Sequence, residues 1–155
     1  MDRNRTIADS CQLISRFEGY SSIAYLCQAG RWTIGYGTTI YPDGTKVKEG
    51  DTCTEELAMF WLRNRIQADY DRLERLLKVD TTTNQAVAML SLMYNIGIGN
   101  FAESTVLRKH NECSFDEAEQ AFLLWNKITK DGQKIENKGL TTRRIAEMAK
   151  YRQSD

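Results

Sequence analysis

Arg16-Phe17-Glu18-Gly19-Tyr20, continued by Ala24-Tyr25-Leu26-Cys27-Gln28-Ala29-Gly30-Arg31-Trp32-Thr33-Ile34-Gly35-Tyr36-Gly37, is the stretch whose reading decides the fold. Ahead of it, Ile7, Cys11, Ile14 and Phe17 recur at three- and four-residue intervals, the spacing of an amphipathic helix. Gly19 can end that helix, which leaves Glu18 at its C-terminus. Beyond Gly19 the period changes. β-branched and aromatic residues over 21–47 are cut by Ala29-Gly30, Gly35, Gly37 and Pro42-Asp43-Gly44, which predicts a small sheet of two or three strands with tight turns. Such a sheet is marginal alone and must lean on helices.

Working outward, Thr52 or Thr54 can cap a helix carrying Leu57, Trp61, Ile66, Tyr70, Leu73 and Leu77. At ~1.5 Å per residue it exceeds 30 Å, long enough to join two lobes. A second apolar helix is expected over 84–94, broken by Gly97-Ile98-Gly99-Asn100. Ser114-Phe115-Asp116-Glu117 reads as a capping box opening another, with Ala118, Ala121, Phe122 and Trp125 inward. A last helix is expected from near Thr141. The class is therefore α+β, a single domain over 1–155. A β-containing lobe spans about 18–53, and a helical lobe spans about 54–155 with the N-terminal helix. A cleft between such lobes is a favoured place for a ligand.

Composition narrows the function classes. With 41% hydrophobic and 27% charged residues, the chain suits a globular monomer. Twenty-one basic residues balance 21 acidic ones, so no nucleic-acid partner is expected. The charge is uneven, however: Lys127, Lys130, Lys134, Lys138, Arg143, Arg144, Lys150 and Arg152 crowd the last stretch. That run is either a solvated helical face or a shallow positive surface for an anionic polymer. Cys11, Cys27, Cys53 and Cys113 form no CxxC pair and neighbour no histidine, so reduced thiols and no metal site are expected. The sole histidine, His110, is expected at the surface. No apolar run approaches the ~20 residues of a membrane span, and the first residues lack the apolar core of a signal peptide. The expectation is a protein that stays where it is made until something else releases it.

The chemistry-bearing residues are few. Glu18 lies between a helix C-terminus and the aromatics Phe17, Tyr20 and Tyr25, surroundings that disfavour a carboxylate and suit a general acid. Taken singly it would be an ordinary surface carboxylate, Thr33 a β-branched strand residue, and Cys27 a small hairpin residue. Gly35-Tyr36-Gly37 lacks the rest of a dinucleotide fingerprint and reads as backbone geometry. Arg143 and Arg144 are expected in structural ion pairs, with the preceding lobe or with the surroundings of Glu18.

Together these residues resemble the phage-type lysozyme family, glycoside hydrolase family 24. In that family a glutamate ends the first helix, an aspartate or cysteine follows nine residues on, and a threonine six further, before an Ile-Gly-x-Gly turn. Glu18, Cys27, Thr33 and Ile34-Gly35-Tyr36-Gly37 stand at those spacings. Leu92-Met93-Tyr94-Asn95-Ile96-Gly97, Phe101, Ser104, Thr105, Trp125 and Gly139-Leu140-Thr141-Thr142-Arg143-Arg144 are similar to its later segments. The resemblance implies a two-lobed lysozyme-like fold without metal or organic cofactor. It implies cleavage of peptidoglycan between N-acetylmuramic acid and N-acetylglucosamine, with inversion, causing lysis of a bacterial host. Glu18 would be the acid, Thr33 would position water, and Cys27 would be a base, a nucleophile or a polar contact. Asn95, Phe101, Ser104 and Thr105 would bind substrate from the helical lobe. Made in the host cytoplasm, the enzyme would reach the cell wall only after a pore such as a holin breached the membrane. Two rivals share this pattern: a lytic transglycosylase, and a non-catalytic glycan-binding protein favoured only by cysteine in place of aspartate.

Overall fold

A computed structural model describes residues 1–155. Helix α1 (Arg3–Glu18) begins where Asp2 caps the backbone N–H of Arg5, and ends at Gly19, whose N–H closes on the carbonyl of Ser15. Its buried stripe of Ile7, Cys11 and Ile14 is the one the spacing predicts. Strands β1 (Ser21–Leu26) and β2 (Trp32–Gly35) pair antiparallel. Only isolated bridges, Ile23 to Thr52, Ile34 to Thr38 and Ile40 to Lys46, extend them. The β lobe thus keeps a small core of Ala24, Ile34 and Val47, walled by Trp32, Tyr41, Cys53 and Trp61.

Helix α2 (Glu55–Leu76) is capped by Thr54 and, at 22 residues, runs roughly 33 Å between the lobes. Trp61 meets the β core, while Ala58, Leu62, Ile66, Tyr70 and Leu73 enter the helical core. Leu57 falls off this stripe and is 41% exposed, unlike the expectation. Gly35 lies so close to α2 that a Cβ there would stand 2.9 Å from Cβ of Ala58, so a glycine is required where the hairpin meets the helix.

Helix α3 (Thr83–Ile96) is buried on nearly every side, as its apolar sequence demands, and α1, α2 and the last helix, α7 (Lys138–Arg152), pack around it. Its N-terminus carries the capping box, Thr82 with Gln85. At the expected box, Ser114 makes no capping hydrogen bond to α6 (Phe115–Ala121). The short helices α4 (Ile98–Ala102) and α5 (Thr105–Asn111) follow α3, and a 3-10 turn, Phe122–Trp125, follows α6.

Two expectations fail further on. A hairpin, β3 (Lys127–Lys130) with β4 (Gln133–Glu136), occupies the start of the basic run, where no strand was expected. Helix α7 (Lys138–Arg152) then starts three residues before Thr141, capped by Asn137. His110, expected at the surface, is fully buried. Its Nδ1 lies 2.6 Å from the Tyr151 hydroxyl and its Nε2 2.8 Å from Thr81 Oγ1. Thr81 donates its single hydroxyl proton to the Val79 carbonyl. It therefore accepts from His110, which fixes the Nε2–H tautomer with Tyr151 donating to Nδ1. All four cysteines are free thiols.

Candidate active site

Three elements from distant parts of the chain converge on Glu18. Helix α1 ends with it, α7 supplies Arg143, and the Gly35-Tyr36-Gly37 turn after β2 closes over it. Arg143 Nη1 donates to Glu18 Oε1 at 2.8 Å, with the arginine side chain 6% and the glutamate 21% exposed. The guanidinium is itself held. It donates to Glu147 Oε1 and to the Ser91 carbonyl, both at 3.3 Å, and stacks over Phe17 at 5.5 Å. Glu147 is fully buried and also receives the Ser91 hydroxyl at 2.6 Å. Arg144 completes this cluster. Its Nη2 donates to Glu147 Oε1 at 3.1 Å, and its Nε lies 2.8 Å from Oε2, an ion pair out of line for a hydrogen bond. The expectation that both arginines make structural ion pairs near Glu18 is met.

With Oε1 on Arg143, Oε2 has no protein donor and faces Gly37. A Cβ at Gly37 would stand 3.0 Å from this oxygen and 3.2 Å from the Tyr94 hydroxyl. The φ of Gly37 is +86°, in the left-handed region glycine favours. Tyr94 reaches from α3 to the β lobe and donates to the Tyr36 carbonyl at 2.8 Å. Burial pushes its phenol far above the usual range, so the hydroxyl remains a donor. Sequence reasoning missed Tyr94 and Ser91. The one available signal was the position of Tyr94 inside the 92–97 segment, beside Asn95.

Cys27 follows β1 directly and opens a turn that Gly30 closes by donating to the Cys27 carbonyl at 2.9 Å. Thr33, buried on β2, pairs with Tyr25. Its surroundings lower the pKa of the Cys27 thiol. The backbone N–H of Arg31 contributes most, the Thr33 hydroxyl next, and partial burial opposes them. The Thr33 hydroxyl also donates to the Arg31 carbonyl at 3.0 Å. Having one proton, it can serve a thiolate only by turning away from that carbonyl. The Tyr25 phenol is raised by burial and then by the charges of Glu18 and Cys27.

The four residues expected to bind substrate from the helical lobe separate. Asn95 is exposed and Thr105 half-buried, and both line a hollow of ≈ 480 Å³ with Trp125 and Leu140. Phe101 is fully buried in the main core, so its ring serves packing. Ser104 is spent on capping α5, accepting from the Leu107 N–H at 3.2 Å. Neither of these two lines the hollow. No cluster of histidine, cysteine or carboxylate side chains could hold a metal ion.

Comparison with known proteins shows the family and the fold. The family model described as phage lysozyme matches residues 15–147. An endolysin of Acyrthosiphon pisum secondary endosymbiont phage 1 is 40% identical over 139 residues, covering 90% of this chain and 92% of that one. Among solved structures, an endolysin from Escherichia coli O157:H7 phage FAHEc1 superposes with a TM-score of 0.86 at 37% identity, covering 93% of this chain and 90% of the other. A mutant of P22 lysozyme gives 0.77 at 38% identity, covering 93% and 95%.

Proposed function

The chain belongs to the phage lysozyme family, and we propose that Glu18, Cys27 and Thr33 carry its chemistry, with Glu18 as general acid. As an endolysin of that family it is a glycoside hydrolase that degrades peptidoglycan for host lysis. The observation that supports Glu18 is the division of its carboxyl group: Arg143 anchors Oε1, and Oε2 is left without a protein partner above the Gly37 turn. A carboxyl held by one oxygen presents the other in a fixed direction, as proton donation to a glycosidic oxygen requires.

The reaction we propose is a single displacement. The Glu18 proton passes to the leaving oxygen as the bond to the anomeric carbon breaks. Water held by Thr33 and Cys27 forms the new bond from the opposite face, and its proton goes to the Cys27 sulfur. The downward shift of the thiol favours the form able to take that proton. Asn95 and Thr105 would contact the sugar chain from the helical lobe. No helix is long and apolar enough to cross a membrane. We propose that one monomeric chain acts on the wall after a pore such as a holin has opened the way.

Glu18→Gln tests the assignment, since it keeps the shape and removes the transferable proton. General acid catalysis contributes about 10²–10⁴-fold. Clearing of permeabilised Gram-negative cells should fall by at least ~10²-fold with an unchanged melting temperature. Reducing-end muropeptides in the native digest support hydrolysis, whereas anhydro ends would mean transglycosylation. A Glu18→Gln protein retaining a tenth of native activity would remove Glu18 from the role.

A further inference from the structure

Beyond α2 the chain returns to the β lobe through only two side-chain hydrogen bonds, and both end at Glu18 or at the turn above it. Arg143 from α7 holds Glu18 Oε1, and Tyr94 from α3 holds the carbonyl of Tyr36, in the turn that faces Oε2. The first bond is braced by Ser91 and Glu147. The second has a brace of its own. The Arg65 guanidinium, from the middle of α2, lies over the Tyr94 ring at 5.5 Å. Its Nε donates to Asp69 Oδ2 at 2.9 Å, one turn further along α2, and Arg72 Nη1 donates to Asp69 Oδ1, also at 2.9 Å. Asp69 is only 1% exposed, although the other side chains that α2 buries are Ala58, Leu62, Ile66, Tyr70 and Leu73. Neither Asp69 nor Arg65 has a part in the glycan chemistry described above.

A buried carboxylate is costly, and stability alone would be served as well by an apolar residue at 69. What Asp69 adds is direction. It fixes the Nε edge of an arginine side chain that is 47% exposed and would otherwise keep its rotamer freedom in solvent. A cation above an aromatic face is attracted to the negative face of the ring and holds that ring in place. It also makes the phenol a stronger donor. After burial, the charges that weigh most on the Tyr94 hydroxyl are Glu18, which raises its pKa, and Arg65, which lowers it. We propose that Arg65, steadied by Asp69, is a positioning residue for the general acid: it holds Tyr94 on the Tyr36 carbonyl and so sets the Gly37 turn against Glu18 Oε2. The role requires no contact with the sugar. The inference rests on the assignment of Glu18 as the acid, and it supplies the means by which the oxygen that Arg143 does not grip is kept in place.

Release of reducing ends from purified sacculi, with kcat and KM measured separately, tests this. A small misplacement of a catalytic group costs several-fold in rate, so kcat should fall about fivefold in Arg65→Gln and about tenfold in Tyr94→Phe, with KM changed by less than about twofold in both. Because Arg65 acts through the Tyr94 hydroxyl, the double variant should be no slower than Tyr94→Phe alone, whereas independent effects would multiply to about fiftyfold. Arg65→Lys keeps the cation and should recover about half of the native kcat. Arg72→Gln is the control for stability. It takes the other partner from Asp69 and touches no aromatic ring, so it should lower the melting temperature as Arg65→Gln does and keep the native kcat. All rates are taken well below the melting temperatures. Native kcat in either single variant, multiplication in the double variant, or an equal loss in Arg72→Gln would overturn the proposal. A rise in KM at unchanged kcat in Arg65→Gln would do so too, making Arg65 a sugar contact. The assignment of Glu18 fails separately, if Glu18→Gln keeps its activity.

Discussion

Gly37→Ala is the smallest change that should reach the chemistry. The new methyl would stand 3.0 Å from Glu18 Oε2 and 3.2 Å from the Tyr94 hydroxyl, tighter than ordinary contact. Either group must then retreat by a few tenths of an ångström. Neither is free to do so. Arg143 pins the other Glu18 oxygen at 2.8 Å and is itself tied to Glu147 and Ser91, while Tyr94 is tied to Tyr36. The left-handed backbone adds its own cost, roughly 1–2 kcal/mol for alanine. Gly44 supplies the control: its φ is +89°, like the +86° of Gly37, but a Cβ there meets nothing within 4 Å. Both alanine variants should therefore lose about 1–2 kcal/mol, a fall in melting temperature of about 2–8 °C. Only Gly37→Ala should lose activity. A 1 Å error in a catalytic group costs about 10²-fold, so a shift of under half that should cost on the order of 10-fold. Initial rates of cell-wall clearing, measured well below both melting temperatures, give the comparison. Equal rates for the two variants would refute the reasoning, because Glu18 would then have room that the packing denies it.

Cys27 gives a ranking: if the thiol orients or deprotonates water, Cys27→Asp should keep substantial activity, Cys27→Ser much less, and Cys27→Ala should fall by about 10²-fold. A merely packed cysteine would reverse the order, tolerating alanine and suffering from the aspartate. Alkylation of the native thiol should inactivate, and bound chitooligosaccharide should slow it. His110 makes stability pH-dependent. Burial lowers its pKa from 6.5 to about 4, so the unfolded chain binds the extra proton first and stability drains as pH falls from 6.5 toward 4. Between pH 7 and 4.5 this amounts to about 2–3 kcal/mol. Urea melts at the two pH values should show that loss in the native protein and not in His110→Gln; an identical pH dependence in both would exclude His110 as its source.

The amino-acid sequence by itself determined the switch from helix to hairpin at Gly19 and the order of elements through α3. These are local properties: a 3.6-residue period, a change to β-branched residues, and glycines at 19, 30, 35 and 37 whose positive φ values no other residue adopts cheaply. The same locality placed Glu18 at a helix end, and its spacing to Cys27 and Thr33 carried the family resemblance. The β3–β4 hairpin escaped because its strands are almost wholly exposed, and a strand with no buried face leaves no alternation to read. His110 was misjudged because its partners, Thr81 and Tyr151, lie 29 and 41 residues away. Phe101 and Ser104 sit in the segment that resembles the cleft wall, but tertiary packing turns the ring inward and spends the hydroxyl on a cap. Which arginine would meet Glu18, and by which oxygen, waited on the tertiary structure. Arg143 comes from 125 residues further along the chain, and only the packing of α1 and α7 against α3 aims its guanidinium at one oxygen and leaves the other open. Side-chain direction follows from local backbone, but the meeting of two side chains depends on helices whose relative placement no local pattern encodes.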